Sequence, residues 1–360
     1  MKTISIIGIR GFPGVQGGVE MHCENIYTRM HKNYRLRIYR RRPYLTEVSA
    51  RKFKNTEYVD LPSTRIKGLE AVIHTFLAAI HIIFHRPDAV HIHNIGPGMF
   101  APLIKMFRIP IILTYHSPNY EHTKWGALSR AILKMSEKIS LKCANRIIFV
   151  NSFQREKLGE KVLAKSVFIP NGINKNKIGR STGLLRRLEL EPRNFILSVG
   201  RLTPEKGFEY LVEAVNMLDE VQHLVIAGAS DHDTSYFKQL KQLDWNDKVI
   251  FTGYTQGEDL RQLYSHARLY VLSSVNEGFP LVLLEAMSYQ LPLVVTDIPA
   301  THLIELPEDN YVEVANSDAL AEGISNALKK EFKLIQYDLT NYNWNIIAQQ
   351  TLQVYKQVLK

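Results

Sequence analysis

Two glutamates in the stretch NEGFPLVLLEAM (276–287) are the first residues that suggest chemistry, because no other charge lies between them. Pro280 suits the first turn of a helix, and the LVLLEAM run that follows is apolar on all sides, so this helix should be buried. Glu285 is its only charge, and a buried carboxylate needs hydrogen-bond donors or a cation. A pair of neighbouring hydroxyls, as on a ribose, would supply such donors.

Glu277 lies in the loop before that helix, where it could reach a ligand while the helix start faces an anion. The backbone N–H groups of Gly278, Phe279 and Leu281 are the expected donors to that anion. A structural alternative stays open, in which Glu277 is a helix-start charge and Glu285 forms an ion pair.

Two cations follow the first apolar strand of the second half, in SVGRLTPEKG (198–207). This position puts Arg201 and Lys206 at the carboxyl edge of a predicted sheet, where open α/β sheets bind ligands. An arginine can fork onto phosphate oxygens and a lysine adds a point charge, so the two together suit a diphosphate. The alternative is a surface loop with two solvated cations.

A glycine-rich turn, GIRGFPGVQGGVE (8–20), follows the first predicted strand and leads into a helix from about Val19. Such a turn exposes backbone N–H groups, and Gly17 and Gly18 at the helix entry are candidates for contact with a phosphate. The turn lacks the G-x-G-x-x-G spacing, and no acidic residue follows the second strand, which disfavours a dinucleotide-dependent oxidoreductase. A tight turn without a ligand is the alternative.

Two histidines end predicted strands of the first half: His93 in HIHN and His116 in LTYHSPNY. A histidine at a strand end can donate to a sugar hydroxyl or to a developing charge, although each could equally be a core histidine satisfied by backbone. The sequence has no Cys/His cluster, H-E-x-x-H or Asp-rich metal loop, so we predict no bound metal and no cofactor. It also lacks the G-x-S-x-G elbow of serine hydrolases.

The elements that position these residues form two series of short apolar strands that alternate with helices. This alternation predicts an α/β fold with two doubly wound parallel sheets facing a cleft. We expect an N-terminal domain over 1–170 and a C-terminal domain over 171–343, joined near PNGINKNKIG (170–179). The last helix, from about Trp344, has an apolar face and should pack back on the N-terminal domain.

The bulk composition agrees with a two-domain enzyme. The chain has 360 residues, more than one hydrophobic core usually serves, and 45% of them are hydrophobic. Two cysteines, Cys23 and Cys143, are too few for a disulfide framework. The first residues lack the features of a signal peptide, and the apolar segment 69–84 is too short to span a bilayer, so we expect a cytoplasmic protein.

The positive charge lies in the first half, where residues 1–170 hold 27 lysines and arginines against 11 acidic residues. Much of the excess falls in RLRIYRRRPY (35–44) and ARKFK (50–54), which predicts cations that face an anionic partner. A solvated basic face and a membrane surface are both open. Nucleic acid is disfavoured because no recognisable nucleic-acid module accompanies the charge.

Taken together, SVGRLTPEKG, VFIPNGIN, VIFTGYT and above all EGFPLVLLE resemble the retaining family 4 glycosyltransferases of GT-B fold, over nearly the whole chain. The resemblance implies that Arg201 and Lys206 hold a donor diphosphate, that Glu285 binds the nucleotide ribose and that Glu277 contacts donor-sugar hydroxyls. It also implies that Gly17 and Gly18 approach the phosphate and that His116 lies near the donor sugar. The segment SPNYEHTKWG (117–126) would form part of the acceptor side, and VIFTGYT would lie beside the base. The chain departs from the pattern at IPATHLIE (298–305), where the family often has a Gly-rich turn.

The resemblance implies transfer of a hexose-type sugar from a nucleotide-diphosphate sugar, with retention of configuration and without metal. The acceptor would be a glycan or a lipid-linked glycan, in cell-surface polysaccharide synthesis at the inner face of a membrane. Two alternatives stay open: a non-catalytic subunit that binds a nucleotide, and a sugar-nucleotide epimerase on the same fold.

Overall fold

The computed structural model describes residues 1–15, 17–64, 66, 69–118, 120, 126–230 and 235–359. These residues form two compact units, one made of 1–172 with 341–360 and the other of 173–340. We call them unit 1 and unit 2.

In unit 1, short buried strands form a parallel sheet with helices between them. In the described part of the chain the sheet has seven strands in the order β3-β2-β1-β4-β5-β6-β7. The strands are β1 (Thr3–Ile7), β2 (Arg35–Arg41), β3 (Thr56–Leu61), β4 (Ala89–His93), β5 (Ile111–Tyr115), β6 (Arg146–Phe149) and β7 (Ser166–Phe168). The helices are α1 (Gly18–Met30), α2 (Leu69–His85), α3 (Ala101–Met106), α4 (Ala127–Cys143), α5 (Ser152–Glu156) and α6 (Glu160–Leu163).

The burial of the strand residues agrees with the order of the strands in the sheet. β4 and β5 are buried at every position, as expected for central strands of a parallel sheet covered by helices on both faces. β1 pairs with β2 on one side and with β4 on the other, so the chain reverses direction across the sheet next to β1. In such sheets the carboxyl edge beside this reversal is the usual place for a ligand.

The basic stretch 35–44 meets its expectation only in part, because most of it is β2 and two of its arginines, Arg40 and Arg41, are buried and paired within the unit. Arg40 donates to both carboxylate oxygens of Asp60, at 2.7 and 2.8 Å, and its guanidinium lies 3.8 Å from the centre of the Tyr58 ring. Arg41 is buried as well and lies 3.5 Å from a carboxylate oxygen of Glu70. These two cations therefore stabilise the sheet and do not present charge to a partner.

Unit 2 repeats the architecture with a six-stranded parallel sheet in the order β10-β9-β8-β11-β12-β13, again counted over the described residues. Its strands are β8 (Ile196–Val199), β9 (Leu224–Ala227), β10 (Val249–Gly253), β11 (Leu269–Leu272), β12 (Leu293–Thr296) and β13 (Tyr311–Val312). Its helices are α7 (Gly183–Arg187), α8 (Phe208–Asn216), α9 (Ser235–Leu243), α10 (Gly257–His266), α11 (Leu281–Ser288) and α12 (Ser317–Lys329). The prediction of two doubly wound α/β units is confirmed.

The last helix, α13 (Trp344–Val358), returns to unit 1 and packs against α1, as the sequence predicts. Trp344 and Tyr355 are fully buried there. Gly172 leaves the space that the indole occupies, since a Cβ at that position would lie 2.7 Å from a ring atom of Trp344. No helix in the described ranges is long and apolar enough to cross a membrane.

We expect Trp344→Ala to lower the stability of unit 1 by about 3–5 kcal/mol, because it leaves a cavity where a large buried side chain was. Chemical denaturation followed by circular dichroism measures the loss. Ile346→Ala, an exposed position on the same helix, is the control and should change stability by less than about 0.5 kcal/mol. Equal stability of the Trp344 variant and the parent would contradict the packing of α13 described here.

Candidate functional site

In unit 2, two loops at the carboxyl edge of the sheet are held together by hydrogen bonds. The first runs from the end of β8 through the turn Pro204–Lys206 to Gly207, and the second follows β11. Ser273 donates its hydroxyl to the carbonyl of Lys206 at 2.9 Å, and the N–H of Val275 donates to the carbonyl of Glu205 at 3.0 Å. Gly207 has a φ of 57°, and a Cβ there would collide with the carbonyl of Ser273. Only glycine therefore allows this close approach.

The two hydrogen-bonded loops bring Lys206 and Glu277 into an ion pair between Nζ and Oε1. Ser274 donates to the same carboxylate oxygen at 2.8 Å. Both charged side chains are mostly buried, at 16% exposure for Lys206 and 12% for Glu277. Arg201 lies in the same first loop, directly after β8. The structure thus joins two of the predicted site residues by a direct contact and places the third on the loop that carries one of them.

Glu285 lies on α11, which begins directly after Pro280. It accepts a hydrogen bond from the hydroxyl of Tyr264 at 3.0 Å, and the Tyr264 ring stacks on Tyr289 with 5.1 Å between centroids. Burial raises the pKa of Glu285 to about 7, and the Tyr264 hydrogen bond opposes that rise. No ion pair of Glu285 occurs within the described ranges. The carboxylate is therefore held by a neutral donor and retains acceptor capacity for hydroxyl groups.

The amides at the start of α11 are only partly as expected. The N–H of Leu281 donates to the carbonyl of Phe279 at 3.0 Å, because the chain bends sharply around Pro280. This group is therefore engaged within the turn of the free protein, and its contact with an anion stays a prediction. Gly278 and Phe279 lie in the same loop, between Glu277 and the helix.

The glycine-rich turn of unit 1 also differs from a simple open anion site. Gly17 and Gly18 lie where predicted, with α1 beginning at Gly18. The carboxylate of Glu20 folds back beside Gly17 and accepts the N–H of Arg10 at 2.9 Å. An acidic side chain of the chain itself therefore already faces this turn, which the spacing of the glycines did not indicate.

His93 and His116 are joined in a buried network of hydrogen bonds. Nδ1 of His93 lies 3.0 Å from Nε2 of His116, and Nε2 of His93 lies 2.6 Å from the hydroxyl of Tyr27. That hydroxyl is 2.8 Å from Nδ1 of His91, which in turn lies 2.6 Å from the hydroxyl of Tyr355 on α13. Both predicted histidines are thus satisfied by side chains, not by backbone as the alternative supposed.

A fourth buried histidine, His22 on α1, packs against His93 and His116. Its ring centroid is 4.8 Å from that of His116, and its Nδ1 lies 2.7 Å from the side-chain oxygen of Asn171. One local signal for His22 is its place one helical turn beyond the glycine-rich turn. Its neighbours come from β4, β5 and the segment after β7, so nothing local indicates the cluster.

The chain matches known proteins along both units. A family described as Glycosyltransferase Family 4 matches residues 16–177, and one described as Glycosyl transferases group 1 matches residues 186–343. An uncharacterised glycosyltransferase of Methanocaldococcus jannaschii is 32% identical over 302 residues, which are 75% of this chain and 75% of that protein. The chain belongs to glycosyltransferase family 4.

A second relative of this family 4 glycosyltransferase is an N,N'-diacetylbacillosaminyl-diphospho-undecaprenol alpha-1,3-N-acetylgalactosaminyltransferase from Campylobacter jejuni. It is 28% identical over 253 residues, or 65% of this chain and 66% of that protein. Among solved structures, sucrose-phosphate synthase from Thermosynechococcus elongatus has a TM-score of 0.81 at 22% identity, over 99% of each chain. HepE from Anabaena, in complex with UDP-glucose, has a TM-score of 0.73 at 18% identity, over 99% of this chain and 98% of that one. These likenesses show the GT-B fold.

The four clustered histidines of this glycosyltransferase, His22, His91, His93 and His116, are neutral near pH 7. Burial lowers the pKa of His22 to about 4 and that of His91 to about 3. Burial, aided by the neighbouring imidazoles, holds the pKa of His93 well below its usual range, and the same causes lower the pKa of His116. His116 can therefore exchange hydrogen bonds with a sugar hydroxyl, but it does not supply a positive charge.

One group in the glycosyltransferase has the composition of a metal site. His22, His93 and His116 each offer a ring nitrogen, and these atoms lie within 4.8 Å of one another. Three imidazoles can hold a divalent transition metal. The hydrogen bonds of His93 to His116 and of His22 to Asn171 already account for this grouping. The sequence offered no sign of the trio because its members come from α1, β4 and the end of β5.

Two further expectations concern loops. Of the predicted acceptor-side segment 117–126, residues 119 and 121–125 lie outside the described residues. The segment VIFTGYT contains β10 and continues into the turn after Gly253, at the sheet edge in unit 2. Ala300 and Thr301, where the chain departs from the family pattern, are both buried, and Thr301 donates to the carbonyl of Thr296 at 2.9 Å.

The raised pKa of Glu285 predicts a pH-dependent contribution to stability. The folded protein keeps a proton on Glu285 up to a pH of about 7, whereas the unfolded chain releases it near 4.5. The folded state therefore loses stability as the pH rises from about 4.5 to about 7, and no more above that. Glu285→Gln cannot ionise, so its unfolding free energy relative to the parent should rise across this window and then stay constant.

Urea denaturation at several pH values measures this difference. Glu322→Gln on α12, at an exposed position, is the matched control for the loss of one carboxylate. A difference between Glu285→Gln and the parent that is the same at every pH would show that Glu285 ionises normally.

Proposed function

We propose that this glycosyltransferase transfers a hexose-type sugar from a nucleotide-diphosphate sugar to a glycan or lipid-linked acceptor, with retention of configuration. The observation that carries the proposal is the Lys206–Glu277 pair, followed on the same loop and helix by Glu285 with acceptor capacity. A cation and two carboxylates in this order match the three parts of such a donor: diphosphate, sugar and ribose. The reaction would serve cell-surface polysaccharide synthesis at the inner face of a membrane.

The donor is held by charges and hydrogen bonds of unit 2. Lys206 and Arg201 bind the diphosphate, Glu285 accepts hydrogen bonds from the ribose hydroxyls, and Glu277 accepts them from the sugar. The position of the first two at the carboxyl edge of a parallel sheet supports this assignment. So does the complex of HepE with UDP-glucose, a neighbour with the same fold.

Charge stabilisation of the leaving group provides most of the catalysis in this proposal. As the bond from the anomeric carbon to the donor phosphate breaks, negative charge grows on the diphosphate, and Lys206 and Arg201 stabilise it. The acceptor hydroxyl forms its bond on the same face of the sugar and gives its proton to the departing phosphate oxygen. Configuration is retained, and no metal is required because the two cations carry the neutralising charge.

The glutamates do not act as a glycosidase pair, because such carboxylates must flank the same glycosidic bond. Glu277 is anchored by Lys206 and Ser274, whereas Glu285 is anchored by Tyr264 on a different element. From unit 1, we propose that neutral His116 hydrogen-bonds a donor-sugar hydroxyl, with Gly17 and Gly18 near the phosphate. The lipid-linked acceptor of the Campylobacter relative supports an acceptor of that kind.

Turnover of sugar nucleotides tests the proposal. The protein is incubated with UDP- and GDP-hexoses and polyprenyl-diphosphate-linked sugars, and release of nucleoside diphosphate is measured. Lys206→Met removes the charge and keeps the length of the side chain, so kcat should fall about 100-fold. Lys238→Met, an exposed lysine on α9, should leave kcat unchanged.

The product and its metal dependence complete the test. NMR of the product should give the donor's anomeric configuration, and chelation with EDTA should leave the rate unchanged. An inverted product, loss of activity in EDTA or full activity of Lys206→Met would each overturn part of the mechanism. A changed sugar nucleotide formed without any acceptor would indicate an epimerase instead.

A further inference from the structure

Apolar side chains are exposed along two helices of unit 1 that lie on the same face of its sheet. α3 contacts both α2 and α4, and the turn Pro97–Phe100 before α3 contacts them as well. The three helices therefore form one continuous layer. Its outer surface carries the features that follow.

α4 is amphipathic with its apolar line turned outward. Leu128, Ile132 and Met135 repeat at helical spacing, and they are 76%, 40% and 52% exposed. The side that faces the sheet carries Ser136, Ser140 and Leu141, all three buried. A helix on the surface of a globular protein normally turns its apolar side toward the core.

The two serines explain why this side of α4 packs against the rest of unit 1. Ser136 donates its hydroxyl to the carbonyl of Ile95, and Ser140 fits against Gly98, where a Cβ would collide with it. Small side chains let α4 approach the turn before α3 closely. Leu128, Ile132 and Met135 are left on the outside, away from the core that Leu141 joins.

α2 extends the apolar surface. Leu69, Val72 and Phe76 are exposed and repeat at helical spacing on its outer side. The Phe76 ring lies 5.7 Å from that of Phe100, in the turn that also contacts α4. The exposed apolar residues of the two helices therefore flank a shared turn and form one surface, which we call the apolar face.

Positive charge accompanies the apolar face. Arg130, Lys134 and Lys138 are exposed on α4 and recur every fourth residue. The one acidic residue of the helix, Glu137, is engaged by the hydroxyl of Tyr115. Unlike Arg40 and Arg41, whose charges are compensated within the sheet, these cations face outward.

We propose that the apolar face docks the enzyme on an anionic lipid bilayer. Leu128, Ile132 and Met135 would enter the boundary between headgroups and acyl chains, while Arg130 and its two neighbouring lysines meet lipid phosphates. Helices at a membrane interface commonly combine apolar residues with lysines and arginines, because the long side chains of these cations reach back to the headgroups. The proposal rests on the membrane location given under Proposed function and assigns the surface responsible.

The site benefits from this orientation. α4 begins at the carboxyl edge of the sheet, in the connection that follows β5 and His116. A bilayer held against the first turns of α4 would lie beside the edge from which His116 projects. A lipid-linked acceptor would then reach the enzyme without leaving the membrane.

Vesicle sedimentation of the full chain tests the proposal. The protein is mixed at low salt with vesicles of phosphatidylcholine alone or with roughly 30% phosphatidylglycerol added, which gives the vesicles the negative surface potential that attracts cations. One variant carries Leu128→Gln, Ile132→Gln and Met135→Gln, and a second carries Arg130→Gln, Lys134→Gln and Lys138→Gln. The control for the apolar variant carries three substitutions at exposed apolar positions of unit 2, Ile178→Gln, Met217→Gln and Trp245→Gln. The control for the charge variant carries three at exposed cations of unit 2, Arg186→Gln, Lys238→Gln and Lys329→Gln.

The parent and both controls should bind the anionic vesicles, and added salt should weaken that binding. The charge variant should bind about fivefold more weakly for each cation removed. The apolar variant should lose at least about tenfold. Circular dichroism should show both variants folded, since all six positions are exposed.

Three results would overturn the proposal. If the parent does not bind anionic vesicles, the protein makes no such contact with a membrane. Undiminished binding by both variants places the contact elsewhere on the protein. A parent that forms dimers by light scattering, and that either variant converts to monomers, identifies a second copy as the occupant. Sugar transfer to a short-chain acceptor in solution should be equal for all proteins, so failure of the docking surface is distinguished from failure of the proposed reaction.

Discussion

The ion pair between Lys206 and Glu277 is the interaction on which the site in unit 2 depends. Removing two charges from water costs several kcal/mol for each, and the cost is offset only when the pair is well positioned and hydrogen-bonded. The loops provide that position, through the absence of a side chain at Gly207 and the hydroxyl of Ser274 on the carboxylate. Each charge is pre-oriented in the free protein, so a bound diphosphate and sugar would meet groups that need little rearrangement.

Unit 1 differs from unit 2 because its buried network of histidines and tyrosines carries no charge. The pKa values of its four clustered histidines lie below the physiological range because burial penalises the imidazolium. Neutral rings can alternate as donors and acceptors, and the hydroxyls of Tyr27 and Tyr355 link them into one network. Because Tyr355 belongs to α13, the return of the last helix completes the polar interior behind His116.

Features could be predicted where the residues involved lie close together along the chain. Lys206 and Glu285 each follow a strand and begin or occupy the next helix, so the strand-loop-helix pattern alone put them at one sheet edge. The burial of Arg40 and Arg41 could not be seen, because their acidic partners Asp60 and Glu70 come from other elements. His22 was missed for the same reason. Periodicity alone could not show that Ser136 and Ser140 lie on the side of α4 that faces the sheet.

The central claim is that Lys206 recognises the diphosphate and Glu285 the ribose, and nucleotide binding tests it most directly. Calorimetry compares the affinities of UDP and GDP with those of UMP and GMP, for the parent, Lys206→Met and Glu285→Gln. The diphosphate that binds the parent should exceed its monophosphate in affinity by at least about tenfold, the effect of one charge-assisted contact. That ratio should fall in Lys206→Met, where Arg201 still contacts the diphosphate, while Glu285→Gln should weaken both nucleotides by the same factor. A ratio that Lys206→Met leaves intact would contradict the account.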